Sequence, residues 1–244
     1  MVSSDLWDER DAAVYDSEMK CESAPAVVQP VVEYLRSLAD GGPALEFATG
    51  TGRIGIPLAQ AGVPVTGIEL SQPMTAQLRR KVDEKTLPVF VGDMATTRVP
   101  GEFSLVYLVF NTISNLRTQE EQVECFVNAA RHLRGGGYFV VELWVPFIQR
   151  MVPGSDAVPV AVRDGFDAFD TYDVATQACT SQSYKRQDDG TIRYDIGRFR
   201  YAWPAELDLM ARLAGLGLHA RFSDWTGSPF TSASEKHVSV WRKP

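Results

Sequence analysis

The stretch Ala44-Leu45-Glu46-Phe47-Ala48-Thr49-Gly50-Thr51-Gly52 decides the fold, because a short apolar run ends there in a turn that contains two glycines. The run from Ala44 to Ala48 predicts a buried strand, and residues Gly52 to Ala61 predict the helix that follows it. Glycines at such a turn let a ligand approach the backbone closely. The stretch therefore predicts a strand–turn–helix unit with a binding site at its turn.

The same alternation of strands and helices continues on both sides of this turn. Apolar residues at helical spacing from Pro25 to Leu38 predict a preceding helix that ends at Gly41-Gly42. Further along the chain, strands are predicted at 63–70, 87–91, 103–110 and 138–143, and helices at 73–82 and 119–133. Strands that alternate with helices indicate parallel βαβ units, and hence an α/β sheet.

The pattern changes after Trp144. Residues 157–201 alternate β-branched and aromatic side chains with polar ones, and Asp188-Asp189-Gly190 is a typical hairpin turn. This part predicts a small antiparallel sheet inserted into the α/β core. A helix at 204–214 and two strands at 218–225 and 236–242 are predicted to follow it.

Composition excludes several classes of protein. The 244 residues are 45% hydrophobic and 23% charged, which is typical of one large globular domain or a core with an elaboration. Lys and Arg number 24 against 31 Asp and Glu, so a net charge of −7 disfavours a nucleic-acid partner. The apolar runs are short and the N-terminus shows no signal pattern, so we expect a cytoplasmic protein with no membrane partner.

Cysteines and histidines are dispersed along the chain. The three cysteines form no Cys-x-x-Cys pair, and we expect neither a disulfide framework nor a metal site. His132 precedes the Gly135 turn at the end of a predicted helix, where a favourable cation at the helix C-terminus is the expected role.

Carboxylates follow the next two predicted strands. Glu69 ends the second strand, where its carboxylate can accept hydrogen bonds from two ribose hydroxyls, and Asp93 follows the third strand. Open α/β sheets bind ligands at the carboxyl ends of their strands. Three consecutive strand ends therefore carry residues of the kind that hold a nucleotide-like ligand.

With these motifs, residues 25–145 resemble the class I S-adenosylmethionine-dependent methyltransferases. The first motif of that family, an acid followed by a glycine-rich turn, matches Glu46 to Gly52, with Ala48 in place of the first glycine. Residues Leu133 to Glu142 look like the turn and fifth strand of the family. The resemblance implies S-adenosylmethionine (SAM) as cofactor and S-adenosylhomocysteine as product.

The resemblance also implies roles for individual residues. Glu69 would hold the ribose, Asp93 the adenine amino group with Met94 beside the ring, and Phe110-Asn111 would lie near the sulfonium. The residues expected to bind the cofactor are Glu46, Ala48, Gly50, Gly52, Arg53, Glu69, Leu70, Asp93, Met94 and Phe110.

The expected fold is a Rossmann-like, seven-stranded, mostly parallel sheet with helices on both faces and an antiparallel C-terminal hairpin. Residues 25–150 and 202–244 would form this SAM-binding core. Residues 151–201 would form the inserted antiparallel sheet for substrate binding, and the acidic residues 1–24, too polar for a core, would form a lid.

A looser likeness points to N-methyltransferases of natural-product pathways, which act on amino sugars or peptide N-termini. It rests on Tyr15-Asp16, on the exit from the fifth strand at Glu142 to Pro146, and on the inserted sheet. It implies Tyr15, Asn111 and Glu142 as catalytic residues, an amine as acceptor, and Trp144, Tyr172 and Tyr201 at the substrate. Tyr15 could equally anchor its segment to the core, and the three other aromatics could be packing residues.

Other functions stay open at this point. The acceptor could be an oxygen or a carbon of a small molecule, and the protein could be a monomer or a homodimer. Gly50-x-Gly52-x-x-Gly55 also fits an NAD(P)-dependent oxidoreductase, although a second nucleotide-binding half is not evident. A non-catalytic SAM-binding protein is the third possibility.

Overall fold

The computed structural model describes residues 7–244. Its larger sheet has seven strands in the order β10-β11-β5-β4-β1-β2-β3. The strands are β1 Ala44–Phe47, β2 Val65–Glu69, β3 Val89–Val91, β4 Phe103–Leu108, β5 Leu133–Trp144, β10 Gly217–Phe222 and β11 Lys236–Arg242. Strands β1 to β5 pair in parallel, whereas β11 runs antiparallel to β5 and β10. This confirms the predicted Rossmann-like sheet with its antiparallel C-terminal hairpin.

Helices cover both faces of this sheet. They are α1 Glu9–Glu18, α2 Pro25–Ala39, α3 Gly55–Gln60, α4 Gln72–Arg79, α5 Gln119–His132 and α6 Pro204–Leu213, with 3₁₀ turns at Thr112–Asn115 and Phe147–Arg150. Successive side chains of β4 alternate between the two layers: Val106 packs with Phe126 of α5, and Leu105 packs on the side of Leu35 of α2. Both faces of the central strands are therefore buried, as parallel sheets require.

The second sheet is a four-stranded antiparallel meander in the order β6-β7-β8-β9. Its strands are β6 Ala157–Arg163, β7 Phe166–Asp173, β8 Ala178–Arg186 and β9 Ile192–Arg200. The turn between β8 and β9 includes Gly190, whose φ of 81° suits the predicted hairpin turn. The sheet is inserted between β5 and α6, as the alternating pattern predicted.

The acidic segment at the start of the chain is more regular than its composition suggested. Residues 9–18 form helix α1, and the Asp8 side chain caps it by accepting a hydrogen bond from the backbone N–H of Asp11 (2.9 Å). Ala12 is buried. The other residues of α1 are exposed or half-buried, which agrees with the expectation that this segment is too polar for a core. Its role as a lid stays a prediction. Residues 1–6 of the predicted lid lie outside the described part.

Strand β5 begins five residues earlier than predicted. The glycines 135–137, expected to be a turn before the strand, belong to β5. Backbone hydrogen bonds explain the difference: Gly136 N–H donates to Lys243 O (3.0 Å), and Lys243 N–H donates to Gly137 O (2.9 Å). The C-terminal residues thus extend the sheet over the glycine stretch.

Candidate functional site

The glycine-rich turn after β1 is built from left-handed backbone. Ala48, Gly50 and Gly52 have φ values of 51°, 60° and 85°. Only glycine adopts this region freely, so Ala48 carries a strain of about 1 kcal/mol or more that the surrounding packing must hold. Gly67 allows the close approach of β2, since a Cβ there would lie 2.2 Å from Thr49 Oγ1.

Glu69 ties this turn to the end of β2. Its Oε2 accepts the backbone N–H of Gly50 and its Oε1 accepts the N–H of Ser71, both at 2.7 Å. The side chain is only 6% exposed, and burial raises the pKa of its carboxyl. Each oxygen keeps a second lone pair for a ligand hydroxyl. Glu69 therefore shapes the binding turn and can also contact the ligand.

A cavity of about 250 Å³ opens beside Glu69. Its lining includes these predicted cofactor residues: Ala48, Gly50, Glu69, Leu70, Asp93, Met94 and Phe110. Asp93 fixes one oxygen by accepting the N–H of Ala95 (2.7 Å), which leaves its other oxygen for an amino group. Residues that the sequence reasoning did not select also line it: Trp7, Met19, Ile68, Ser71, Met74, Gly92, Thr112, Asn115 and Phe199.

Three residues predicted to bind the cofactor do not line this cavity: Glu46, Gly52 and Arg53. Glu46 is buried beneath the turn, and desolvation raises the pKa of its carboxyl to about 8. Gly52 is needed for the shape of the turn, since its φ of 85° is strained for any residue with a side chain.

Arg53 acts on its neighbours. Its guanidinium lies over the Phe110 ring (4.6 Å to the centroid), and its Nη1 donates to Glu22 O (3.1 Å). It therefore contacts both Phe110 and the segment that precedes α2.

A second, larger cleft of about 1270 Å³ lies between α1, the 3₁₀ turn at Phe147–Arg150 and the antiparallel sheet. The predicted substrate residues Trp144, Tyr172 and Tyr201 all line it. Tyr172 and Tyr201 also pack edge to face at 5.6 Å, so they serve both as packing residues and as cleft wall. The prediction that residues 151–201 meet the substrate stays a prediction, and this placement supports it.

The two cavities meet at a junction, which we define by the residues that line both: Trp7, Tyr15, Met19, Asn111, Trp144 and Phe199. Tyr15 of α1 packs edge to face on Trp7 (5.1 Å). Asn111 has a φ of 62°, and its Oδ1 accepts the backbone N–H of Trp144 (3.2 Å). Two of the predicted catalytic residues, Tyr15 and Asn111, therefore lie where cofactor and acceptor would meet.

Glu142, the third predicted catalytic residue, lines neither cavity. Its Oε2 accepts the N–H of Phe110 (3.0 Å) and its Oε1 accepts the Trp225 indole N–H (2.9 Å). Its carboxylate is therefore committed to holding the end of β4, and it is not available to the acceptor. Glu142 positions Phe110 rather than touching a reactant.

The histidines lie apart from both cavities. His132 is 3% exposed; its Nε2 accepts the N–H of Val99 (3.1 Å), its Nδ1 faces Asn128 O, and desolvation lowers its pKa. The expected cationic role at the helix end was therefore wrong, because a ring nitrogen that accepts an N–H is unprotonated. Desolvation of the fully buried His237 lowers its pKa to about 3.

Within residues 7–244, no group of three or more His, Cys, Asp or Glu side chains is arranged to hold a metal ion. No helix in that range is long and apolar enough to cross a membrane.

Comparison with known proteins identifies the family. Residues 44–137 match a methyltransferase domain family. The solved CcbJ methyltransferase from Streptomyces caelestis is 35% identical, with a TM-score of 0.80 over 88% of each chain. The chain belongs to the SAM-dependent methyltransferases. This family assignment overturns the oxidoreductase alternative. The glycine at position 55 is explained by packing, because a Cβ there would lie 2.4 Å from Glu46 Oε2.

Other relatives of this methyltransferase act on amines. The cypemycin N-terminal methyltransferase of a Streptomyces species is 29% identical over 98% of each chain. An N,N-dimethyltransferase for dTDP-3-amino-3,4,6-trideoxy-alpha-D-glucopyranose, from Streptomyces venezuelae, is 33% identical over half of each chain. SAM is the cofactor, and the residues present fit it: Glu69 and Asp93 offer carboxylate oxygens on adjoining strand ends, and Ile68, Leu70 and Met94 offer apolar surface for a base.

Proposed function

We propose that this enzyme methylates an amine of a small natural-product acceptor that binds in the larger cleft. One observation carries the proposal: the junction between the two cavities holds no carboxylate and no imidazole among the described residues. A neutral alcohol generally needs a positioned base to become a good nucleophile. An unprotonated amine brings its own lone pair and releases its proton after transfer.

Tyr15 is the one residue of the junction with an acid–base group, and it is poorly suited to be a base. Burial raises the pKa of its phenol above the usual value of 10. At neutral pH the hydroxyl therefore stays protonated. Asn111 and the indoles of Trp7 and Trp144 cannot accept a proton in this range. These residues support a role in orientation, with no proton abstraction by the protein.

When bound, SAM supplies a methyl group already activated on a sulfonium. The protein must then hold donor and acceptor in line and exclude water. Glu69 and Asp93 would hold the nucleoside, and Phe110 and Asn111 line the same cavity, Asn111 at its junction with the larger cleft. The aromatic side chains of the junction exclude water. Positioning of this kind can contribute several kcal/mol, up to about 7–11 in well-oriented systems.

The relatives support the same proposal, since their names describe methylation of a peptide N-terminus and of amino sugars. The acceptor cleft here, about 1270 Å³, is large enough for a sugar or a short peptide end. A hydroxyl or carbon acceptor is the second candidate, and no residue of the junction favours it.

The test is the pH dependence of turnover on amine acceptors. A panel of amino sugars, short peptides and amines is incubated with SAM, and each methylated product is identified by mass spectrometry beside its hydroxyl analogue. At limiting acceptor, the rate should rise about tenfold per pH unit up to the acceptor's own pKa, because only the unprotonated amine attacks. An enzyme that methylates only the hydroxyl analogues contradicts the proposal.

His132→Ala and His237→Ala serve as controls for this test. Both rings are buried away from the cavities, so each variant should lose stability but keep most of the turnover per folded molecule. A drop of about a thousandfold in turnover on replacing either histidine, with folding intact, would indicate base-assisted methylation instead.

We also propose that residues 1–24 act as a lid over both cavities. Helix α1 is held by the core on one side, where Asp16 accepts from Thr51 Oγ1 (2.6 Å) and pairs with Lys81 (2.7 Å). On the other side Glu18 pairs with Lys185 (3.3 Å) and Arg193 (3.5 Å) of the antiparallel sheet. These pairs are partly exposed, so each is worth only about 0–1 kcal/mol and can open.

Deleting residues 1–24 should leave a folded protein with weaker cofactor binding and lower turnover. The deletion removes Trp7, Tyr15 and Met19 from the junction but ends before the first residue of α2. We expect S-adenosylhomocysteine to bind about tenfold more weakly or worse, chiefly through lost aromatic contact. Calorimetric titration measures the affinity, and thermal unfolding confirms the fold. Unchanged affinity and turnover in the truncated protein contradict the lid.

A further inference from the structure

The acids that line the larger cleft differ in how their charges are compensated. They are Asp11, Glu18, Asp164, Asp170 and Asp195. Arg193 pairs with Asp195 (2.8 Å), and it also lies 3.5 Å from Glu18 and 3.7 Å from Asp11. Asp164 is exposed to solvent at the turn between β6 and β7. This leaves Asp170, a half-buried acid that forms no ion pair with any described residue.

The carboxyl of Asp170 is only partly satisfied. Its Oδ2 accepts the Tyr172 hydroxyl at 3.2 Å, whereas its Oδ1 is buried and has no hydrogen-bond partner among the described residues. Ser181 lies directly across on β8 and offers a neutral hydroxyl. Desolvation raises the pKa of Asp170, and the neutral hydroxyls of Ser181 and Tyr172 oppose this only in part. Burying an ionised carboxylate without a partner costs free energy, and a polar or charged group of a ligand would offset that cost.

The sheet register locates Asp170 relative to the junction. Asp170 pairs with Ser181, and Ser181 pairs with Gly197, so the three form one row across the sheet on the cleft side. The Phe199 ring, part of the junction, lies over Gly197, where a Cβ would be 2.7 Å from it. Strands are spaced about 4.8 Å apart, so the backbone of Asp170 lies about 10 Å from that of Gly197.

We propose that Asp170 binds an ammonium group of the acceptor that is distinct from the nitrogen to be methylated. The inference rests on the proposed amine methylation. Separation from the junction is chemically useful, because a carboxylate beside the reacting nitrogen would favour its protonated, non-nucleophilic form. At about 10 Å along the cleft, the same carboxylate can hold one end of a dicationic acceptor while the other end reaches the methyl group. Asp170 is then a specificity-determining residue.

The test compares hexamethylenediamine with hexylamine as probes of the protein saturated with S-adenosylhomocysteine. Calorimetry measures the affinity of each amine. The wild-type protein should bind the diamine about tenfold more tightly than the monoamine, as expected for one charge-assisted hydrogen bond. Asp170→Asn should reduce that ratio to about one. Asp167→Asn removes a charge from the opposite face of the same strand, and it should keep the ratio.

Several outcomes overturn the inference. They are equal affinities for the two amines in the wild type, an unchanged ratio in Asp170→Asn, or an equal loss in Asp167→Asn. Aminohexanol binding as tightly as the diamine would show that Asp170 recognises a hydroxyl and not a cation. The methyl-transfer assay on the acceptor panel separates the two proposals: if only hydroxyl analogues are methylated but the diamine preference depends on Asp170, the amine function fails and the Asp170 assignment stands.

Discussion

Glu69→Ala is expected to weaken S-adenosylhomocysteine binding by about a thousandfold, more than any other single change in the cofactor cavity. Loss of a charge-assisted hydrogen bond to the ribose accounts for about 1.5–3 kcal/mol. The rest comes from the turn, because the backbone N–H groups of Gly50 and Ser71 both donate to this carboxylate. Each buried N–H that loses its acceptor costs about 1–3 kcal/mol, unless the turn moves to find another partner for it.

Asp93→Ala is the matched comparison for this prediction. Asp93 accepts one backbone N–H, from Ala95, and so has less influence on the turn. We expect only the loss of one charge-assisted hydrogen bond, about 1.5–3 kcal/mol, in the same calorimetric titration. Glu102→Ala, at an exposed acid, controls for the change in net charge. Unchanged titration curves for both Glu69→Ala and Asp93→Ala contradict the site assignment.

Strand ends were the part of the site that the sequence predicted well. Glu69 and Asp93 follow short apolar runs, and parallel strands bring their carboxyl ends to one edge whatever the details of packing. The two carboxylates therefore line the same cavity in the structure. The same logic failed for Glu46, which lies inside β1 and not after it, so its side chain points into the layer beneath the turn.

Long-range pairings were the part that the sequence could not predict. Glu142 looked like a catalytic acid at the end of a strand, but its role depends on Trp225, 83 residues further along the chain. Trp7 and Met19 flank α1, and they reach the junction because α1 packs against α4. Their segment is short and acidic, and local pattern alone carries no signal for such a contact. The sequence signal for a helix in this segment was the N-cap residue Asp8 with acidic residues in the first turn after it.

Glu46 also makes the stability of this methyltransferase depend on pH in an unusual direction. Its side chain is 3% exposed, and its Oε2 has no hydrogen-bond partner among the described residues. Desolvation raises its pKa from 4.5 to about 8, and the positive charge of Arg53, the Tyr107 hydroxyl and the Gly55 N–H oppose this only in part. The folded protein therefore keeps this proton at neutral pH, whereas the unfolded chain has lost it. Because the folded state binds more protons, its stability falls as pH rises from about 4.5 to about 8.

Glu46→Gln is expected to remove this loss of stability with rising pH, since the amide keeps the shape of the protonated acid and cannot ionise. A shift of this size corresponds to about 3–5 kcal/mol of unfolding free energy across the window. Denaturant unfolding at pH 5 and at pH 8 measures it, because the two values bracket most of the titration. The wild type should lose that amount between the two pH values relative to Glu46→Gln, while Glu102→Gln, at an exposed acid, should follow the wild type. Parallel pH profiles for wild type and Glu46→Gln would show that Glu46 is ionised in the folded protein, with the positive charge of Arg53 compensating it.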